Sequence, residues 1–153
     1  RGIALTAAPL LGAFVAREVP GALLLGPDEE AEQWVSVAAR GQGLDHAVCR
    51  KQRHGDLDVD VALPVVDVRG RAVVLFDDVA SSGRTLAAAA RGVLAQGAAS
   101  VDAVVTHAIF AGDAVAAVHA AGVRRLWSSD SVPHASNAVS VVPLLAAALR
   151  GDV

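Results

Sequence analysis

The sequence is poor in sulfur, in excess basic charge and in long apolar runs, and each shortage excludes a class of protein. Its one cysteine, Cys49, cannot form a disulfide within the chain, which argues against a disulfide-held secreted scaffold and favours a cytoplasmic setting. The net charge of −3 argues against nucleic acid as the main partner, because binding to its backbone needs clustered Lys and Arg. No apolar run approaches the length of a membrane span, so no membrane partner is expected.

Methionine is absent altogether, and the sequence begins at Arg1. We therefore expect the 153 residues to be a piece of a longer protein. Of these residues, 54% are hydrophobic, which is enough for one compact domain with a core of its own. No internal repeat, linker or domain boundary interrupts the sequence, so residues 1–153 are predicted to form a single domain.

Apolar runs alternate with alanine-rich helical patterns along the chain. The run "GALLLG" is typical of a short buried strand, and it lies between two segments, "TAAPLLGAFVAREV" and "PDEEAEQWVSVAAR", with helical spacing of apolar residues. This alternation indicates stacked βα units around a mainly parallel sheet. The predicted fold class is α/β, a three-layer α/β/α sandwich.

Two predictions concern the shape of the sheet. The segments "HAVCRK" and "LDVDVAL" are predicted to be strands on either side of the polar turn "QRHGD", which together would form a β-hairpin flap. The later segment "RRLWSS" is predicted to be a strand at the edge of the sheet.

The stretch "VVLFDDVASSGRT", Val73 to Thr85, is the most informative in the chain. Four apolar residues end in Asp77 and Asp78, and a small-residue loop then leads into a predicted helix. A helix that follows a parallel strand offers free N–H groups to an anion, and Gly83 lets the backbone approach it closely. Ionised carboxylates accept hydrogen bonds from sugar hydroxyls, so the pattern predicts a sugar-phosphate site, with an ordinary polar turn as the alternative.

This stretch resembles the phosphoribosyl pyrophosphate (PRPP) binding motif of the type I phosphoribosyltransferase fold. Other phosphate signatures are absent, since the chain has no GxxxxGK[ST] and "GQGLDH" lacks the third glycine of a dinucleotide fingerprint. The resemblance implies that two carboxylates orient the ribose and that a five-residue loop binds its 5-phosphate. These ribose 5-phosphate-binding residues would be Asp77, Asp78, Ser81, Ser82, Gly83, Arg84 and Thr85.

Further segments are similar to the second half of ribose-phosphate pyrophosphokinase, also called PRPP synthetase. They are "LTAAPLLGAF", "GPDEEAEQWV", "RKQRHGD", "VDAVVTHAIFAGDA" and "SSDSVPHASNAVSVVPLL". The resemblance implies that Asp28 takes part in magnesium binding and that Lys51 and Arg53 are the catalytic residues of the flap. Their positive charge suits a diphosphoryl transfer, which builds negative charge on phosphate oxygens.

What the resemblance implies for function is transfer of diphosphate from Mg-ATP to ribose 5-phosphate, giving PRPP and AMP. It also implies Mg²⁺ as cofactor, ATP as co-substrate, a homo-oligomer and a two-domain subunit. Two alternatives stay open: a phosphoribosyltransferase that uses PRPP to make a nucleotide, and a non-catalytic regulatory subunit. His107 is predicted to pack at a strand end, and Cys49 is predicted to be a small core residue.

Overall fold

The structure is a computed structural model that describes residues 2–53, 59–62 and 66–151, with the backbone alone for residues 51–53 and 59–62. Eight strands and five helices lie in these ranges. In chain order they are α1 (Ala8–Glu18), β1 (Leu23–Gly26), α2 (Glu32–Arg40), β2 (His46–Val48), β3 (Arg50–Arg53), β4 (Val59–Ala62), β5 (Ala72–Ala80), α3 (Arg84–Ala95), β6 (Ser100–Ala108), α4 (Ala114–Ala120), β7 (Val123–Ser129), β8 (Asn137–Val139) and α5 (Val142–Arg150), with a 3₁₀ turn, Glu29–Ala31, before α2.

Six strands form one parallel sheet in the order β2-β1-β5-β6-β7-β8. The chain moves from β1 to β2 in one direction and then returns to build β5 and its successors on the other side of β1. The strand order therefore reverses between β1 and β5. Ligands of open parallel sheets bind beyond the carboxyl ends of the strands at such a reversal, so the topology marks one crevice.

The core lies on both faces of the sheet, as alternating side chains of a strand require. Leu24, Phe76 and Val104 pack with α1 and α2 on one face. Leu25 and Leu75 belong to the cluster with α3 and α4 on the other face. The predicted three-layer α/β/α sandwich with a parallel sheet is confirmed.

Two details of the sheet differ from the prediction. The strand predicted over residues 46–51 is two strands that separate at Cys49, because β2 pairs with β1 as far as the bond from the Cys49 N–H to the Gly26 carbonyl at 2.9 Å and the chain beyond it changes partner. β3 then pairs antiparallel with β4, as expected for the flap, whose tip at residues 54–58 lies outside the described residues. The segment "RRLWSS" is not an edge strand, because β8, too short to show an apolar pattern, pairs along its outer side.

A buried carboxylate joins β6 to β7. Asp102 is 0% exposed, and its oxygens accept hydrogen bonds from the guanidinium groups of Arg124 and Arg125 at 2.7–3.2 Å. The ladder is irregular here, since two residues of β7 oppose Asp102, and the carboxylate also accepts the backbone N–H of Arg125 at 3.1 Å. Burial alone would raise the pKa of Asp102, but the hydrogen bonds from both arginines outweigh it and lower that pKa.

Among the described residues, no helix combines the length and apolar content needed to cross a bilayer.

Candidate functional site

The crevice at the strand reversal brings together the acidic residues that the sequence singled out. Asp28 follows β1 by two residues, while Asp77 and Asp78 lie near the carboxyl end of β5. β1 and β5 are hydrogen-bonded neighbours, so both groups reach the same edge of the sheet. Asp28 is near enough to Asp77 for its charge to raise the pKa of Asp77.

The loop after β5 has the backbone shape of an anion site. Gly83 has φ +68° and is the N-cap of α3, a twelve-residue helix. A side chain there would place its Cβ 2.7 Å from Val118 Cγ2 and 3.2 Å from the carbonyl oxygen of Ala114, so only glycine fits. The N–H groups of the first helical turn have no acceptor within a helix and carry its positive dipole end, which suits a phosphate.

Backbone hydrogen bonds fix this loop against the neighbouring one. The N–H of Ile109 donates to the carbonyl of Ala80 at 3.0 Å, and the N–H of Ala111 donates to the carbonyl of Ser81 at 3.1 Å. Ser81 and Ser82 are exposed, and Ser82 Oγ accepts the N–H of Arg84 at 3.4 Å. The two serines are therefore at the surface of a loop whose backbone is anchored by its hydrogen bonds to residues 109 and 111.

The two adjacent carboxylates are half-buried and, within the described residues, have no ion pair. Asp77 Oδ1 accepts the N–H of Asp78 at 2.9 Å, and Asp78 Oδ1 accepts the N–H of Val79 at 2.8 Å. Burial, followed by the negative charges of Asp78 and Asp28, raises the pKa of Asp77 to about 7, although the hydrogen bond from the backbone of Asp78 opposes the rise. The pair thus offers acceptor oxygens in a confined, acidic place, which suits the hydroxyl groups of a sugar.

The raised pKa of Asp77 should make the free energy of unfolding depend on pH. Because the pKa of Asp77 is about 7 in the fold and near the ordinary aspartate value of 3.8 when unfolded, the native state binds an extra proton between these pH values. Stability then falls as pH rises from 4 to 7. In metal-free buffer at pH 8, Asp77→Asn is expected to raise the free energy of unfolding by about 2 kcal/mol, a screened part of the full shift, and to change it little at pH 4.

Urea unfolding of both proteins across this pH range measures the effect. Asp113→Asn, an exposed position at the start of α4, is the matched control and should change the stability by less than about 0.5 kcal/mol at either pH. Equal stability of Asp77→Asn and the unmodified chain at pH 8 would contradict the prediction.

Asp28, the acidic residue after β1, is buried. It is 9% exposed, and its Oδ1 accepts the N–H of Glu30 at 3.1 Å, which caps the 3₁₀ turn. Burial, and then the charge of Asp28, raises the pKa of the neighbouring Cys49 thiol to about 12, which disfavours the nucleophilic thiolate at neutral pH. Among the described residues no three potential ligands cluster as a metal site, but Mg²⁺ is commonly held by one or two carboxylates plus substrate phosphates, and Asp28 with Asp77 fits that pattern.

The two basic residues predicted for catalysis lie on β3, where Lys51 pairs with Val61 and Arg53 pairs with Val59. Their side chains lie outside the described residues. β3 begins two residues after the end of β2, on the crevice side of the sheet, and the exposed Arg50 guanidinium is 3.7 Å from Glu29 Oε1. Lys51 is also the only lysine in the sequence.

Sequence reasoning gave His107 a packing role, and the structure corrects this. Its side chain is exposed and lines a cleft at the carboxyl edge together with Asp78, Thr106 and Trp34. The available signal was its position: His107 pairs with Val79 in the strand beside β5, one residue past the two carboxylates.

Comparison with known proteins places the chain among related sequences and folds. Residues 18–141 match the family described as "Phosphoribosyl transferase domain". The chain is 35% identical over 147 residues to the ribose-phosphate pyrophosphokinase of Methanosarcina acetivorans, covering 95% of this chain and 52% of that protein. It is 37% identical over 150 residues to the enzyme of the same name from Methanosarcina mazei, covering 96% and 50%.

The fold has solved counterparts. The phosphoribosylpyrophosphate synthetase of Mycobacterium smegmatis matches with a TM-score of 0.75 at 24% identity, over 95% of this chain and 50% of that one. The APRTase of Giardia lamblia matches with a TM-score of 0.57 at 20% identity, over 80% of this chain and 76% of that one. The chain thus spans about half the length of the curated relatives it matches.

Proposed function

This chain belongs to the phosphoribosyl transferase domain family, and we propose that it is the second half of a ribose-phosphate pyrophosphokinase subunit. The predicted resemblance to that family is confirmed by relatives that match 95–96% of the chain. The reaction proposed is transfer of the β,γ-diphosphoryl group of ATP to the anomeric hydroxyl of ribose 5-phosphate. The single observation that carries it is the crevice in which Asp28, Asp77 and the glycine-containing loop meet at the strand reversal.

The bonds change as follows. The anomeric oxygen of ribose 5-phosphate forms a bond to the β-phosphorus of ATP, and the bond from that phosphorus to the oxygen bridging to the α-phosphate breaks. AMP leaves with the bridging oxygen, and the hydroxyl proton passes to the surrounding water. Negative charge grows on the transferring group and on the leaving oxygen, so the site needs positive charge near both.

The residues divide this work between binding and charge stabilisation. Residues 81–85 bind the 5-phosphate through the N–H groups at the start of α3 and through the side chains of Ser81, Ser82, Arg84 and Thr85. Asp77 and Asp78 accept hydrogen bonds from the ribose hydroxyl groups. Lys51 and Arg53 stabilise the charge that develops on the diphosphoryl group.

Asp28, with Asp77 across the crevice, would hold Mg²⁺ when the nucleotide is bound. The ion supplies positive charge that neutralises phosphate oxygens. The rest of the proposed function follows from the family resemblance: ATP as co-substrate, a second domain of similar size in the same subunit, a homo-oligomer and a cytoplasmic location. No nucleic-acid or membrane partner is part of the proposal.

Titration calorimetry of the 153-residue chain tests the sugar-phosphate site. The chain should bind ribose 5-phosphate saturably, and Asp78→Asn should weaken binding about tenfold because a charged acceptor becomes a neutral amide. Gly83→Ala should also weaken it, since Cβ would meet Val118 and Ala114. Asp113→Asn, outside the crevice, should bind as the unmodified chain does.

A folded chain that binds neither ribose 5-phosphate nor PRPP would overturn the proposed site. Thermal melting of each variant separates lost binding from lost folding, which matters most for Gly83→Ala. Mixed with ATP and ribose 5-phosphate, the chain alone should release no AMP, because we place the remaining nucleotide-binding groups in the other half. Nucleotide formation from PRPP and a free base would favour the phosphoribosyltransferase alternative instead.

A further inference from the structure

A cleft beside Asp78 is lined by residues that have no role in the proposed function, among them His107. Its cavity volume is about 100 Å³, it is partly open to solvent, and its lining includes Leu5, Thr6, Trp34, Asp78, Thr106 and His107. In the parallel ladder Asp77 lies opposite Val105 and Val79 lies opposite His107, so Asp78 is next to Thr106 and His107 is one residue farther along. The cleft therefore shares Asp78 with the crevice in which the sugar is proposed to bind.

His107 is held from one side by a hydroxyl group. Its Nδ1 is 2.8 Å from Ser131 Oγ, and the same oxygen is 3.0 Å from the carbonyl oxygen of Thr106 and 2.9 Å from Ser129 Oγ. Ser129 Oγ donates to the carbonyl of Thr106 at 2.7 Å. Asn137 anchors the loop that carries Ser131, because its Nδ2 donates to the carbonyls of Ser129 and Val132 at 2.6 and 3.1 Å. The imidazole of His107 is therefore oriented by Ser131, which lies in the loop after β7.

The hydrogen-bond inventory leaves the other ring nitrogen for a ligand. Ser131 has one hydroxyl proton, so it donates either to Nδ1 of His107 or to an oxygen near it. In the first case Nε2 carries a proton and is a donor; in the second Nδ1 is the donor and Nε2 of the neutral ring is an acceptor. Within the described part of the chain, Nε2 makes no hydrogen bond, and the ring is exposed.

The chemistry of the cleft fits a pentose better than a phosphate. The Asp78 carboxylate repels an anion but accepts a hydrogen bond from a hydroxyl group, and an imidazole nitrogen donates or accepts a second hydrogen bond with another hydroxyl group. The rings and aliphatic groups of Trp34 and Leu5 offer apolar surface to the C–H groups of a sugar. The cleft thus combines an apolar surface for the C–H groups of a pentose with a carboxylate and an imidazole for its hydroxyl groups.

We propose that His107 contacts the substrate, with Nε2 hydrogen-bonded to an oxygen of the pentose of the bound sugar phosphate, and that Ser131 is its positioning residue. This inference rests on the proposed function, because it takes ribose 5-phosphate as the ligand of the crevice. It adds β6 and the loop after β7 to a site that the sequence assigned to β1, β3 and β5.

The experiment measures ribose 5-phosphate affinity by calorimetry in matched histidine variants. His107→Ala should weaken binding about tenfold, the loss of one good hydrogen bond to the ligand. His107→Gln should recover much of this loss, because the amide of glutamine reaches the position of Nε2. Ser131→Ala should weaken binding about threefold, since the ring loses its support. His119→Gln is the control, because His119 is also exposed with Nδ1 2.8 Å from a carbonyl oxygen, that of Val123, but ends α4 at the opposite edge.

A second measurement does not depend on any variant's folding. In the ¹⁵N-labelled unmodified chain, saturating ribose 5-phosphate should shift the Nε2 resonance of His107, assigned by comparison with His107→Gln, and leave those of His119 unchanged. If the unmodified chain binds ribose 5-phosphate while His107→Ala binds equally well, or the Nε2 resonance does not move, the inference is wrong and the proposed function stands. If the unmodified chain does not bind the sugar phosphate, both fail.

Discussion

Replacement of Asp102 by alanine is expected to destabilise the fold by about 3 kcal/mol at neutral pH. The carboxylate is completely buried and accepts hydrogen bonds from both Arg124 and Arg125. It also accepts the backbone N–H of Arg125, at the irregularity in the ladder between β6 and β7. The substitution removes all of these bonds and leaves a cavity at the joint of two central strands.

The two arginines limit the loss, because their side chains are 55% and 43% exposed and can return to water. Asp67→Ala is the matched control: it breaks the Asp67–Arg69 pair, whose side chains are 62% and 78% exposed, and should cost less than about 0.5 kcal/mol. Urea unfolding at pH 7 compares the two. A loss below about 1 kcal/mol for Asp102→Ala would show that the buried carboxylate contributes little net stability.

The stability that Asp102 contributes is also expected to depend on pH. Because the folded pKa of Asp102 is lowered, its contribution is complete above the unfolded pKa of about 3.8 and disappears as pH falls through the folded value. The difference between the unmodified chain and Asp102→Ala should therefore narrow below pH 4. A gap that widens there would assign the stability to something other than the ionised carboxylate.

The sequence predicted the part of the site that one continuous segment of the chain forms. Strand, acidic pair, glycine and helix start follow one another from Val73 to Thr85, so local propensity and motif agree with the structure. The approach of Asp28 to Asp77 was not predictable from spacing alone, since it depends on the reversal of strand order between β1 and β5. The family resemblance, rather than periodicity, brought Asp28 into the site.

The polar contacts that the sequence did not predict depend on partners distant in the sequence. The hydroxyl that supports His107 belongs to Ser131, 24 residues away, and the arginines that pair with Asp102 are 22 and 23 residues away. Periodicity shows that a strand is buried, but it does not show which side chain of a neighbouring strand will meet a polar group. Short elements escape for a different reason, because three residues of β8 are too few to show alternation.

The flap lysine carries the prediction with the largest expected effect on rate. In the two-domain subunit that we propose, Lys51→Ala should lower turnover about a thousandfold, on the order of 4 kcal/mol in activation free energy. The affinity for ribose 5-phosphate should change less than about threefold, because the ammonium stabilises negative charge that develops on the diphosphoryl group in the transition state. Asp78→Asn should show the opposite pattern, with a larger change in sugar affinity than in turnover.

Restoring the charge chemically provides the control that separates electrostatics from folding. Lys51→Cys treated with bromoethylamine gains a lysine-like side chain, and the one native thiol within residues 1–153 is Cys49, which is buried with a pKa of about 12 and should react slowly. The treated variant should regain most of the turnover, whereas the treated Lys51→Ala variant should not. Initial rates of AMP release at saturating ATP and ribose 5-phosphate give the comparison. Turnover in Lys51→Ala above one-tenth of the unmodified rate, or no recovery in the aminoethylated protein, would show that the flap lysine does not stabilise the transferring diphosphoryl group.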